Sequence, residues 1–141
     1  MEANTVFLAK IDLLHAMLLW IRERLGDLDA PTIRKVELAS EEAIVNIIQH
    51  AYQHQPEKIE IELKFHPQSH VEIAFKDYGP PFDPTKKRKD LDRTASLEQR
   101  EVGGLGLHFI HHNMDEVRYR RERDKNVLVL VKRFTRSSHK A

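Results

Sequence analysis

Between residues 59 and 75 the chain alternates apolar and polar side chains twice. Ile59, Ile61, Leu63 and Phe65 face one way, and Val71, Ile73 and Phe75 repeat the pattern after Pro67-Gln68-Ser69. A period of two puts each set on one face of a strand, and two such runs joined by a short turn form a β-hairpin with one face to bury. A hairpin alone is marginal in water, so other elements must cover that face. The residues before it supply them. Ile11, Leu14, Leu18, Ile21 and Leu25 step by three and four, as a helix burying one side does, and Gly26 stops it. Asp29-Ala30-Pro31 then offers a cap and an early-turn proline for a second helix, running to about Tyr52 with Ile33, Val36, Ile44, Ile47, Ile48 and Ala51 toward the core.

The rest of the order follows from similar signals. Val6 to Ala9 reads as a short opening strand. From Pro80 to Glu101 the apolar periodicity gives way to charge and proline, the mark of a long loop, and such loops in compact domains often close over a ligand. A helix starts near Gly104–Leu105 and ends around Asn113. Val117 and Tyr119 belong to one more strand and Val127 to Val131 to the last, with Asp124-Lys125-Asn126 as the turn. The expected fold is α+β: a two-layer sandwich of a mixed, mostly antiparallel sheet with helices on one face. The 141 residues make a single domain, 1–141, with a lid at about 84–102.

Composition narrows the chemistry. There are no cysteines, which excludes disulfides, thiolate metal sites and cysteine nucleophiles and fits a reducing compartment. A formal net charge of +1 gives no global drive toward nucleic acid or an anionic membrane. The first ten residues lack a secretion signal, and no apolar run approaches the roughly 18 residues of a membrane span. The expectation is a cytoplasmic protein with no membrane partner and no direct nucleic-acid contact. On the first helix, Leu13, Met17 and Trp20 widen the apolar face. That width fits either a helix sunk in its own core or one that meets a partner, a homodimer through this helix included.

Three constellations carry chemistry. Glu42, Asn46 and His50 recur at every fourth position of the second helix and form a polar stripe beside the apolar face; spacing alone favours a solvated flank. Asp77-Tyr78-Gly79-Pro80-Pro81-Phe82-Asp83 follows a strand, and Asp77 ends its apolar alternation, where a buried acceptor needs a donor such as an exocyclic amine. Gly79 would let the backbone pass close to a flat ring; read alone, this segment is a turn. Gly103-Gly104-Leu105-Gly106-Leu107 leads into a helix, and clustered glycines before a helix start suit a phosphate. It is neither a Walker nor a Rossmann pattern.

In this order, Glu42-x-x-x-Asn46, Asp77-x-Gly79 and Gly104-x-Gly106-Leu107 resemble the ATP-binding fold shared by gyrase, heat-shock chaperones, histidine kinases and mismatch-repair proteins. The longer strings from Ser40 to Tyr52, and Gly103 to Leu107 followed by Met114-Asp115-Glu116-Val117, look like the anti-sigma-factor serine/threonine kinase branch. The resemblance covers nearly the whole chain. It implies that Glu42 is the general base that takes the proton from a protein serine or threonine hydroxyl. It implies that Asn46 holds Mg²⁺ through its side-chain oxygen, a fitting ligand for a hard ion that leans on substrate phosphate. By the same resemblance Asp77 accepts from the adenine amino group, and Gly79 lies beside the ring. Gly103, Gly104, Leu105, Gly106 and Leu107 run under the phosphates, and His50 has a supporting place near the nucleotide.

The implied activity is that of an ATP- and Mg²⁺-dependent serine/threonine protein kinase and anti-sigma factor of a bacterial partner-switching system. Its substrate would be a small anti-sigma-factor antagonist, and its other partner a sigma factor. The alternative is a catalytically weak, ATP-gated anti-sigma or scaffold module. Pro81 replaces the second glycine usual after Asp77-x-Gly79, Val102 stands where some relatives carry an arginine that touches the γ-phosphate, with Arg100 nearby, and the final hairpin lacks the frequent Gly-Thr. These departures bear on rate more than on binding. His108, His111 and His112 share a helix but no carboxylate or cysteine completes a zinc site at close spacing. Lys86-Lys87-Arg88-Lys89 reads as a solvated lid segment.

Overall fold

The computed structural model describes residues 1–52, 57–81, 83 and 110–134. Five strands form one sheet in the order β1-β2-β3-β5-β4: β1 (Glu2–Leu8), β2 (Lys58–His66), β3 (His70–Asp77), β4 (Glu116–Glu122) and β5 (Lys125–Arg133). Each pairing is antiparallel. Two helices, α1 (Leu14–Leu25) and α2 (Ala30–Asn46), supply the second layer. The sandwich expected from the alternations is the one found.

The hairpin behaves as its pattern dictates. Ile59, Ile61 and Leu63 of β2 and Val71, Ile73 and Phe75 of β3 are fully buried against the helices, where they meet Met17, Ile21 and Leu25 of α1 and Val36, Ala39 and Ile44 of α2. Fully burying a side chain of this kind contributes about 1.5–3 kcal/mol, so this shared layer dominates the stability of the fold. Gln68 takes the left-handed backbone (φ 62°) that reverses the chain at 67–69. The opposite sheet face carries Glu60, Glu62, Lys64, Glu72 and Lys76, and among them a small valine cluster, Val127, Val129 and Val131, packs with Ala74.

Several boundaries differ from the sequence expectation. The opening strand starts at Glu2, because β1 pairs with β2 along its whole length, from Glu2↔Lys64 to Leu8↔Lys58. Residues Ile11–Leu13 form a 3₁₀ turn before α1. Gly26 ends α1 at φ 65°, a conformation that disfavours a side chain. Asp29 precedes α2, yet its side chain makes no capping bond; Pro31 in the first turn still marks the start. The last turn falls at Arg123-Asp124, with Arg123 at φ 54°, so Lys125 and Asn126 belong to β5. Met17 of α1 is buried, and Trp20 of α1 and Leu13 of the 3₁₀ turn are partly buried against the core, which accounts for much of the wide apolar face. Ile11 of the turn and Leu19 of α1 remain exposed. No helix among the described residues is long and apolar enough to cross a membrane.

The final departure matters for the site. After Asn46 the helix widens into a π-helical turn, Ile47–Ala51, closed by Tyr52 N–H donating to the Ile47 carbonyl (3.0 Å). The wider ring advances each residue through a smaller angle than an α-helix does. The stripe therefore runs true from Glu42 to Asn46, while His50 falls off the extrapolated line.

Candidate functional site

The site is built on one row of the sheet. Along β3, Val71, Ile73, Phe75 and Asp77 alternate onto the inner face, so the strand that buries three apolar side chains also buries a carboxylate, 4% exposed. Strand pairing sets Asp77 opposite Asn126 of β5, and Asn126 opposite Arg121 of β4. Three polar side chains thus share one end of the sheet's inner face.

They are bonded to one another. Asp77 Oδ1 accepts from the Gly79 N–H (2.9 Å) and from Asn126 Nδ2 (2.9 Å). Asn126 Nδ2 also donates to the Pro80 carbonyl (2.8 Å), and its Oδ1 accepts from the Tyr119 hydroxyl (2.6 Å). Arg121 Nη1 donates to the Gly79 carbonyl (2.7 Å) and to Asn126 Oδ1 (3.3 Å). Burial pushes the Asp77 carboxyl above the ordinary aspartate range, while the bonds from Asn126 and Gly79 and the Arg121 charge pull it back. A neutral carboxamide and a half-turn of backbone hold a buried acceptor in place without a direct ion pair.

Above this row lies a small open recess, lined by Ala43, Asn46, Ile47, Ala51, Asp77, Tyr119, Asn126 and Leu128. Its walls are mainly apolar and its polar groups converge, as small-molecule sites require. Asn46 enters from the last turn of α2 and is 9% exposed. Ile47 and Ala51 come from the π-helical turn, so that turn forms part of the wall. Asp77 and Asn46 are among the polar groups that the recess shares with its apolar walls.

Gly79 meets a packing demand of the chain itself. A side chain there would place Cβ 2.7 Å from the Ala51 carbonyl oxygen. The glycine lets the loop after β3 pack directly on the π-helical turn. A second tie joins the same segments: the Tyr52 hydroxyl donates to the Lys58 carbonyl (2.5 Å) and accepts from the Tyr78 N–H (2.6 Å). Burial, first of all, pushes the Tyr52 phenol up to about 12. The loop's other side is held by Tyr78, whose hydroxyl donates to Glu60 (2.8 Å), itself 3.3 Å from Lys125.

Glu42 lies one turn before Asn46 and is half-buried. Burial, with Glu41 beside it, pushes its carboxyl above the ordinary glutamate range. His50 is outside the recess lining. Gly103, Gly104, Leu105, Gly106 and Leu107, the 84–102 lid, Arg100 and Val102 all lie outside the described residues. The residues that sequence reasoning missed are Asn126, Arg121, Tyr119 and Tyr52. One signal was available for Asn126: it stands two and four residues before Leu128 and Leu130, in the same phase as Asp77 relative to Phe75 and Ile73.

Comparison with known proteins agrees with this architecture. Residues 7–132 match the model of the histidine kinase-like ATPase domain. The chain is 32% identical over 106 residues to the serine-protein kinase RsbW of Bacillus licheniformis, covering 72% of this chain and 65% of that protein. It is 33% identical over 90 residues to RsbW of Bacillus subtilis, covering 61% and 56%. The chain thus spans less than two thirds of the length of these relatives. Among solved structures it resembles the RsbU and RsbW domains of Rv1364c from Mycobacterium tuberculosis (TM-score 0.67, 16% identity, 100% of this chain and 34% of that one). It also resembles the SiaB-SiaC complex from Pseudomonas aeruginosa (TM-score 0.54, 14% identity, 92% and 89%). At these identities the structural likeness is one of fold. Because the family model spans both layers and the recess between them, the chain belongs to the histidine kinase-like ATPase domain family.

Proposed function

We propose that this chain binds ATP in the recess and phosphorylates a serine or threonine of a small antagonist protein, holding a sigma factor when that antagonist is modified. The observation that supports it is the buried Asp77 carboxylate, fixed by Gly79 and Asn126 at the foot of an apolar recess that Asn46 overlooks. Asp77 would accept from the adenine amine, and Ile47, Ala51 and Leu128 would hold the ring's faces. Asn46 offers a side-chain oxygen where a hard cation can be shared with phosphate. When bound, Mg²⁺ and the triphosphate supply the transferable phosphoryl group and neutralise its charge.

The chain's own part is positioning and proton transfer. Glu42, one turn from Asn46 with its proton affinity raised by burial, would take the hydroxyl proton of the attacking residue. Glycines 103, 104 and 106 with Leu105 and Leu107 would cradle the phosphates, and His50 would support that edge. Exposed Ile11 and Leu19 keep a homodimer through the α1 region in view as part of the proposal. Incubation with γ-labelled ATP, Mg²⁺ and each candidate antagonist tests the reading. Label on an antagonist hydroxyl is the expected result. ATP binding with no transfer to any antagonist would leave an ATP-gated binding module.

A further inference from the structure

At the end of β3 remote from Asp77, three side chains with metal-binding chemistry meet on the outer sheet face. His66 and His70 are the last register pair of the β2–β3 hairpin, and Glu72 lies two residues along β3 on the same face. The ligand atoms of His66, His70 and Glu72 lie within 4.8 Å of one another. His66 Nε2 is 3.6 Å from Glu72 Oε2, and the two imidazoles stack with centroids 4.3 Å apart. We propose that His66, His70 and Glu72 form a binding site for a borderline divalent transition-metal ion, Zn²⁺ foremost.

Ligand chemistry selects the ion. Two imidazoles and one carboxylate suit zinc and its neighbours, whereas Mg²⁺ and Ca²⁺ take oxygen donors. The site is therefore distinct from any cation shared between Asn46 and phosphate. His70 and Asp77 are the two ends of β3, roughly 23 Å apart at about 3.3 Å per residue. Three protein ligands leave a fourth position for water or an incoming group.

The surroundings orient the ligands. The Ser69 hydroxyl lies 2.7 Å from His70 Nδ1, which leaves Nε2 as that ring's coordinating nitrogen. Arg118 Nη1 sits 3.7 Å from Glu72 Oε1, so the carboxylate has one oxygen toward the guanidinium and the other toward His66. Such outer partners fix ring and carboxylate geometry at metal sites. In a tetrahedral site with bonds near 2.1 Å, neighbouring ligand atoms stand roughly 3.4 Å apart. The imidazoles must unstack, and ligand atoms that lie within 4.8 Å of one another must converge by up to about 1.4 Å to reach that spacing. The side chain of His66 is 48% exposed and that of Glu72 26%, so rotation is open to the first and limited for the second. Metal binding would clip the hairpin end.

Zinc titration of the full chain, first stripped with a chelator, tests this by calorimetry and by the ¹⁵N shifts of the histidine side chains. One equivalent should bind and shift His66 and His70, and raise the melting temperature, while Mg²⁺ at the same concentration shifts neither ring. His66→Gln and His70→Gln should each abolish the one-equivalent event with the melting curve of the metal-free protein retained. Ser69→Ala should keep every ligand and weaken binding about 10-fold or more. Asn46→Ala should leave zinc binding unchanged. No stoichiometric binding to the wild type, or binding that survives both histidine substitutions, would overturn the site.

Discussion

Asp77 and Glu42 are both carboxylates whose proton affinity is raised by burial, but the chain treats them oppositely. Asp77 stands at the end of a central strand, with a backbone N–H and a carboxamide on the same oxygen. Glu42 stands on a helix, half-buried, and no hydrogen bond to its side chain occurs among the described residues. A buried acceptor that must recognise a shape gains from being immobilised, since rigidity lowers the cost of binding. A base must move a proton, and hydrogen bonds to its ionised form would lower the affinity that it needs. On the proposed reading, the same burial would serve recognition where partners are added and proton transfer where they are withheld.

The sharpest way to break this contrast is Glu42→Gln. The substitution keeps shape and helix propensity but removes proton acceptance. Nucleotide binding should stay about normal while transfer to the antagonist falls by roughly 10²–10⁴-fold. Glu41→Gln, about 100° round the helix, is the control and should leave transfer nearly intact. Equal losses in single-turnover assays would reduce both to a general charge effect and erase the distinction.

Asp77→Asn should reverse the pattern, losing binding first. Replacing a charged acceptor costs about 1.5–3 kcal/mol, or more than tenfold in Kd, readable by fluorescent-nucleotide titration. Acid gives the same test without mutation. Because the native carboxyl is raised above the ordinary aspartate range, it protonates, and loses its acceptor role, earlier on the way down from neutrality than a free aspartate would. The native state holds that proton more tightly than the unfolded chain, so this group's protonation favours folding in the window between its ordinary and raised values. Affinity for ATP should therefore fall with pH before any loss of the fold traceable to Asp77. Unchanged affinity in Asp77→Asn would sink the proposed pocket.

How much of this was legible without coordinates follows from the range of the forces involved. The hairpin, the two helices and the inner placement of Asp77 come from alternation and spacing, which local sequence carries. Glu42 and Asn46 share a face because four residues of regular helix separate them. Asn126 was read as part of a turn because Asp124-Lys125-Asn126 has turn composition; only the pairing of β3 with β5 places it opposite Asp77. The π-helical turn was equally hidden. In the structure Gly79 packs against Ala51 of that turn and the Tyr78 N–H donates to the hydroxyl of Tyr52 just after it, contacts made by a segment more than twenty residues away. The close approach of Gly79 to the Ala51 backbone depends on the same tertiary packing, which local sequence does not carry.

The smallest effect tests whether Asp77's surroundings act as a graded brake on its proton affinity. Arg121 is exposed, yet its guanidinium donates to Gly79 and Asn126, and its charge draws the Asp77 carboxyl downward. Arg121→Gln keeps a donor but removes the charge. At neutral pH a solvent-screened charge is worth about 0.2–1 kcal/mol, so affinity should weaken by only about 1.4- to fivefold. On the acid side the change should be larger. Without the positive charge the Asp77 carboxyl rises further, so the pH at which nucleotide affinity is half lost should move upward. A parallel drop in affinity at every pH would assign Arg121 to holding the Gly79–Pro80 backbone. An upward shift of the acid midpoint, with near-normal neutral affinity, would assign it to the charge state of Asp77.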